Sequence, residues 1–319
     1  GAQRVKGLSI LAVIKDMFSK LVPNKNRKVE TSLIEEFVYP KLGPGQFWET
    51  VGEEFEKMGG KILYGHKVTE INTADGRVTS VKSVCGDKEE IFDGDIFFSS
   101  MPVKDLVAGM GSAVPAAPAE IAAGLPYRDF VGLLVDKLDL KNETGIKTLN
   151  NIVPDCWIYV QDVGVKLGRI QIFNNWSPYL VKDPQHTVWV GLEYFCNEGD
   201  DFWSMDEKAC VDKAVSELIS MGVINKNTKI LDSHRERVQK AYPAYFDTYD
   251  RMDELVKYLD TFENLYCVGR NGQHRYNNMD HSMLTAIRAA QAIKLGKTDK
   301  KDIWNVNTEK EYHEVKEEN

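Results

Sequence analysis

The sequence predicts a mixed α/β (α+β) fold, and three patterns predict it. Alternating segments flank Asp75-Gly76, a two-residue hairpin signal. Between about 126 and 240, several strand-like segments accompany a helix at roughly 206–221, which reads as a largely antiparallel sheet with helices. A short apolar segment, Leu265 to Val268, then runs into Gly269-Arg270, a polar loop and a closing helix. A chain of 319 residues suits roughly two domains and needs no disulfide staples to bury a core.

In chain order, Leu8, Leu11, Ile14, Phe18 and Leu21 predict an amphipathic helix over 7–20, with a basic surface loop at Asn24 to Lys28. Tyr39-Pro40-Lys41-Leu42-Gly43-Pro44-Gly45 reads as a rigid turn. It leads into a helix bearing Phe47, Trp48, Val51, Phe55 and Met58, which Gly59-Gly60 ends. Extended segments follow at Lys61 to Tyr64, His66 to Ile71, Val78 to Val84 and Asp95 to Ser99, the last ending at Met101-Pro102 before a short helix. Later strands are expected at 129–137, 156–160, 168–174 and 187–195. The helix near 206–221 carries Ala209, Val211, Ala214, Leu218 and Ile219. The closing helix spans Ser282 to Leu295 with Gly296 after it, and 297–319 reads as a charged, loosely ordered tail.

Composition narrows the function. With 40 basic and 48 acidic residues the net charge is −8, which gives no support for binding nucleic acid through an excess of Lys and Arg. No apolar run approaches the ~18 residues of a membrane span. The short apolar stretch Gly7 to Ile14 is followed by Lys15-Asp16 without a cleavage site, so a cytoplasmic location is expected. Five scattered cysteines with no CxxC pair read as reduced and structural. Asp280-His281-Ser282 is no hydrolytic triad, because adjacent residues on a helix do not face one another. His274 and His281 sit in no metal-ligand pattern, and neither a P-loop nor a Gly-x-Gly-x-x-Gly occurs.

The distinctive segment is Gly269-Arg270-Asn271-Gly272 followed by Tyr276-Asn277-Asn278-Met279-Asp280-His281-Ser282. A buried strand, small glycines and a helix N-terminus can present N–H groups and a positive dipole end to an anion or an electron-rich ring. The same pattern also makes a well-capped strand–loop–helix connection. Both readings stay open on physics alone.

This segment resembles the flavin-contacting C-terminal motif of flavoproteins related to protoporphyrinogen oxidase and amine oxidase. Within them it is most similar to the UDP-galactopyranose mutases of eukaryotic type. The hairpin around Asp75-Gly76 and Phe97-Phe98-Ser99-Ser100-Met101-Pro102 resemble the middle of that flavin domain. Three further features resemble the mutase substrate region: Trp157-Ile158-Tyr159 with Arg169 twelve residues after the Trp, Phe173-Asn174-Asn175-Trp176-Ser177-Pro178-Tyr179, and Ala241-Tyr242-Pro243 with Tyr276 thirty-four residues beyond Tyr242. Arg4-Val5 resembles a further phosphate-facing Arg-Val.

The resemblance implies a partial FAD-binding domain of the glutathione-reductase type at 41–110 and 262–296. It implies a substrate-binding domain of mixed antiparallel sheet and helices at 1–40 and 111–261. FAD would meet Gly43, Gly45, Val68, Gly269, Arg270, Asp280, His281 and Ser282. A small-molecule substrate, a nucleotide sugar, would meet Arg4, Trp157, Tyr159, Arg169, Tyr242 and Tyr276. In the mutase reading N5 of reduced flavin is the nucleophile in an exchange of ring size, so no side chain is assigned a catalytic role. Hydride abstraction of the amine-oxidase or porphyrinogen-oxidase kind is the alternative flavin chemistry, and a non-catalytic sugar-nucleotide-binding module is a third reading. Because the Rossmann fingerprint is absent and the chain opens on Gly1, it reads as a C-terminal fragment, inactive alone. Oligomerisation is left open.

Overall fold

The computed structural model describes residues 38–307 apart from 126, 136–138, 141, 198 and 246. The helix expected over 7–20, the loop at 24–28, Arg4 and most of the charged tail lie outside the described residues.

The first helix among the described residues, α1 (Pro44–Lys57), begins inside the turn expected at 39–45. Gly43 has φ +85, a conformation that favours glycine, and Pro44 suits the first turn. Its apolar residues Phe47, Trp48, Val51 and Phe55 are exposed, and no α1 residue is buried against the rest of the described chain. Lys61–Tyr64, expected as extended, forms no strand.

A three-stranded antiparallel meander follows: β1 (Lys67–Ala74), β2 (Arg77–Cys85) and β3 (Lys88–Asp93). Asp75 and Gly76 both have positive φ (49 and 72), as a tight primed turn requires. β4 (Phe97–Ser99) is shorter than expected and pairs in parallel with β10 (Leu265–Cys267), far along the chain. Helices α2 (Val103–Gly109), α3 (Ala116–Gly124) and α7 (Met252–Leu259) pack on this layer. Ile71, Val78, Leu106, Ile121, Leu255 and Leu265 share one core.

The second layer is a five-stranded sheet in the order β6-β7-β8-β5-β9. Its strands are β5 (Tyr127–Val135), β6 (Trp157–Tyr159), β7 (Leu167–Ile172), β8 (Val190–Cys196) and β9 (Arg235–Pro243). All four pairings are antiparallel. Short helices α4 (Phe173–Trp176) and α5 (Asp201–Ser204) precede the long helix α6 (Glu207–Ser220), whose N-cap Asp206 accepts from Ala209 N–H at 2.9 Å. Helix α6 covers one sheet face: Ile170, Ile172, Leu192 and Tyr194 pack with Cys210, Ala214 and Leu218. Glu217 is buried there without penalty. Its carboxylate accepts from Lys166 N, Leu167 N and the Tyr194 hydroxyl at 3.0–3.1 Å, and burial beside that carboxylate raises the Tyr194 pKa.

At the C-terminal end come the single turn α8 (Gly269–Gly272), α9 (Met279–Lys294) and the turn α10 (Lys301–Trp304). Helix α9 starts three residues before the expected Ser282 because Asn278 and His281 form a reciprocal capping box, and Gly296 (φ 63) follows its end. The expected loose tail is corrected over its first part, because Lys300, Ile303 and Trp304 are buried. Lys300 Nζ donates to Phe262 O at 2.6 Å and Leu265 O at 2.8 Å, and desolvation lowers its pKa. Trp304 Nε1 donates to Asp260 at 3.0 Å. The apolar gain outweighs the charge of this segment.

All five cysteines are free thiols; Cys267 is fully buried and its pKa is pushed up to about 12 by desolvation. Among the described residues, no helix is long and apolar enough to cross a membrane.

Candidate functional site

The parallel strands β4 and β10 end side by side, and Val268 N donates to Ser99 O at 2.9 Å. In α/β proteins the carboxyl ends of parallel strands are where ligands bind. The chain leaves β10 through Gly269 (φ +76), whose N–H donates to Thr285 Oγ1 at 2.8 Å; that hydroxyl donates to Ser282 O at 2.7 Å. The buried Thr285 thus ties the turn to α9. Gly272 passes so close to β4 that an added Cβ would lie 2.5 Å from Ser99 O. Gly272→Ala is therefore expected to cost about 2 kcal/mol by overpacking, and a lowered urea midpoint for that variant checks it.

Arg270 lies at the centre of the next layer. Its Nε donates to Asn277 O at 2.7 Å and its Nη1 to Ala241 O at 3.1 Å, bridging the glycine turn and the end of β9. The guanidinium carbon is 5.1 Å from the Tyr242 ring centroid and 5.0 Å from that of Tyr276. The two rings stack at 5.7 Å with 13° between their planes. The paired tyrosines expected from sequence are therefore brought together, and the arginine assigned to the cofactor sits against both.

Sequence reasoning missed what supports this cluster. Tyr276 N–H donates to the Tyr245 hydroxyl, and Tyr245 stacks on Tyr249 at 4.4 Å. Burial pushes the Tyr245 pKa up to about 12. His274 is fully buried, its Nε2 lies 3.1 Å from Ala244 O, and desolvation pulls its pKa down to about 4. The Ala241-Tyr242-Pro243 motif stopped two residues short of Tyr245.

At the start of α9, His281 Nδ1 accepts from Asn278 N–H at 3.3 Å, so this ring serves the helix cap. Asp280 is exposed, and Ser282 lies beside Gly269, 3.9 Å from where a Cβ there would stand.

A second cluster forms on the sheet face opposite α6. Tyr159, Arg169 and Glu193 occupy one row across β6, β7 and β8. The Arg169 guanidinium lies 5.0 Å from the Trp157 ring and 5.7 Å from Tyr159. It pairs with Glu193, whose carboxylate also accepts from Gln171. Arg169 and Glu193 are 5% and 1% exposed, whereas Trp157 and Tyr159 present 46% and 43% of their surface. Trp157 meets Trp176 edge-on at 4.8 Å, and Trp176 meets Tyr39 at 5.0 Å.

Tyr242 opposes Arg128 in the same sheet, beyond a register shift between Arg128 and Phe130. β7 and β9 are three strand steps apart, roughly 14 Å at ~4.8 Å per step. Those sequence-predicted substrate residues that are described therefore form two clusters, one on β6 and β7 and one where β9 meets the glycine turn.

The remaining cofactor candidates are more dispersed. Gly43 lies by Tyr39 and Leu180, beside the aromatic cluster, and Ser177 Oγ donates to Lys41 O at 2.6 Å to hold that turn. Gly45 has open space where a Cβ would go. Val68, opposite Ser83 in β2, packs on the meander core.

No family model and no curated protein matches this chain. Among solved structures, it is similar to a reduced UDP-galactopyranose mutase, with TM-score 0.67 and 18% identity over 84% of this chain and 54% of that one. It is also similar to a protein from Exiguobacterium sp. 255-15 described as a protoporphyrinogen oxidase, with TM-score 0.57 and 12% identity over 78% of this chain and 51% of that one. The chain thus spans about half the length of each. At these identities the likeness concerns the fold: the mixed α/β architecture is the one these two proteins share.

Proposed function

We propose that this chain forms the substrate-facing part of an FAD-dependent enzyme acting on a nucleotide sugar, in the manner of a UDP-galactopyranose mutase. The observation that carries the reading is the stacked Tyr242–Tyr276 pair around Arg270, with Tyr242 on β9 of the sheet that also carries the exposed rings of Trp157 and Tyr159. An aromatic platform at one end and a guanidinium with phenols at the other suit a ligand with a ring and a diphosphate.

The residues at the strand ends fit a flavin. Gly272 packs directly on Ser99 O, where any side chain would intrude. Ser99 Oγ and Gln273 Oε1 are buried there with no hydrogen-bond partner among the described residues. Gly43, Gly269 and the opening turn of α9 would hold the flavin, with Val68 on its adenine side. Bound and reduced, it supplies the electron pair for ring-size exchange. The protein's own part is to orient: Glu193 fixes Arg169, and Arg169 in turn backs the Trp157 and Tyr159 rings. Arg270 and the two tyrosines supply positive charge and hydroxyl donors.

The test, on the protein extended upstream of Arg4, is calorimetric titration with UDP alongside an absorbance spectrum after adding FAD. UDP binding together with a perturbed flavin spectrum supports the reading. Flavin binding without UDP binding would favour hydride abstraction from an uncharged substrate. UDP binding without flavin binding would favour a non-catalytic module.

A further inference from the structure

After α9 the chain folds back along β10. Lys300 Nζ donates to Leu265 O at 2.8 Å and Gln273 Nε2 to Cys267 O at 3.1 Å, so alternate carbonyls of β10 are taken by side chains. Gln273 is fully buried and also donates to Ile303 O at 3.0 Å, which fastens α10 to the glycine turn. Ile303 packs with Tyr266, Val268 and Ala289, and Arg288 Nη1 donates to Asp302 O at 2.9 Å. The strand, the turn and α9 each hold this strap.

The strap reaches the candidate site at one residue. Tyr276 lies in the irregular stretch between α8 and α9. Its peptide groups are bonded from outside that stretch: the N–H donates to the Tyr245 hydroxyl, and the carbonyl accepts from Asn307 Nδ2 at 3.1 Å. One residue earlier, Arg275 Nη1 donates to Asn307 O. Asn307 is thus tied to two successive residues of the turn, once through its side chain and once through its backbone. With both peptide groups of Tyr276 held, its ring retains only its own torsions, and these are set by the Tyr242 stack and Arg270. Ile303 and Trp304 supply the apolar anchor of the strap. Asn307 is half-buried and polar, so burial does not account for its contacts.

We propose that the strap formed by residues 300–307 sets the place of Tyr276, with Asn307 as a positioning residue for the Tyr242–Tyr276 pair. The buried anchor fixes the strap to β10, and the clasp three residues beyond Trp304 carries that fixed point to the candidate site. Displacement of the strap is thereby passed to Tyr276 while the sheets stay in place. The inference rests on the proposed function only for the ligand that Tyr276 meets.

Asn307→Ala tests it, in the protein extended upstream of Arg4. The variant loses the side-chain donor to Tyr276 and keeps the Asn307 carbonyl that accepts from Arg275. The first readout needs no ligand: nitration of tyrosines by tetranitromethane in the folded protein, with labelled sites located by mass spectrometry. Tyr276 is expected to react about fivefold faster in Asn307→Ala, the factor that one net hydrogen bond carries. Tyr194, which is 1% exposed in the other core, is expected to stay protected. Asn307→Gln, which retains an amide donor, is expected to restore part of the protection. The second readout is calorimetric: where the unaltered protein binds UDP, affinity is expected to fall severalfold in Asn307→Ala. Unchanged reactivity at Tyr276, or a rise shared by Tyr194, overturns the proposal. Equal UDP affinity in the two proteins overturns it as well. If Tyr276 responds alone but the unaltered protein binds no UDP, the positioning role stands and the nucleotide-sugar reading fails.

Discussion

Arg169→Met is expected to destabilise the protein by about 3–5 kcal/mol, the usual penalty for stranding one member of a buried ion pair. Glu193 would keep a carboxylate at 1% exposure with the guanidinium charge removed, although Gln171 would still donate to it. Glu193→Met should cost a similar amount by stranding the guanidinium. The double variant Arg169→Met, Glu193→Met should recover much of the loss, because two apolar side chains of similar volume replace two charges together. Urea unfolding of the four proteins measures this directly. A single-variant loss below about 1 kcal/mol would mean that the pair behaves like a solvated surface bridge.

The second large effect is acid sensitivity centred on His274. Its ring titrates at about 4 in the folded protein, against 6.5 as the ordinary value, because burial disfavours the cation. Between those two pH values the unfolded chain binds a proton that the folded chain refuses, so stability falls as pH drops from about 6.5 to 4. The gap corresponds to roughly 3 kcal/mol, fully lost once pH is below both values. His274→Asn should flatten that slope, since Asn tolerates the positive φ of 47 at this position and carries no titrating group. Unfolding midpoints for both proteins between pH 4 and 7 provide the comparison. Equal slopes would remove His274 as the cause. The residue sits in the turn that carries Arg270 and Tyr276, so acid should loosen this cluster with the fold.

Local signals were legible in the sequence. Asp75-Gly76 and Gly296 each act through their own backbone and fall where expected, whereas the helix after Gly43 begins at Pro44, within the expected turn. The strands that went unseen are β3 and β9, rich in exposed charge as sheet edges often are. Helix α7 was overlooked although Met252, Leu255 and Leu259 lie at helical spacing and are buried. In the candidate site, the Tyr242–Tyr276 pairing came through a motif resemblance, whereas Glu193 could not have been found. Its partnership with Arg169 depends on the register of β7 against β8, which no local pattern specifies. Similarly, Lys300 reads as one charge among many, and only the fold brings it to the carbonyls of Phe262 and Leu265.

The pairing of β4 with β10 bears on the order in which the molecule can be assembled as it is made. A ribosome releases Phe97–Ser99 long before Leu265–Cys267, and Lys300 with Trp304 emerges later still. The antiparallel sheet with α6 is complete, apart from β9, by residue 220 and can settle during synthesis. The layer built on β4 gains its parallel partner strand and the buried Lys300–Trp304 turn only near the end of synthesis, and pairing over so long a separation is slow to form.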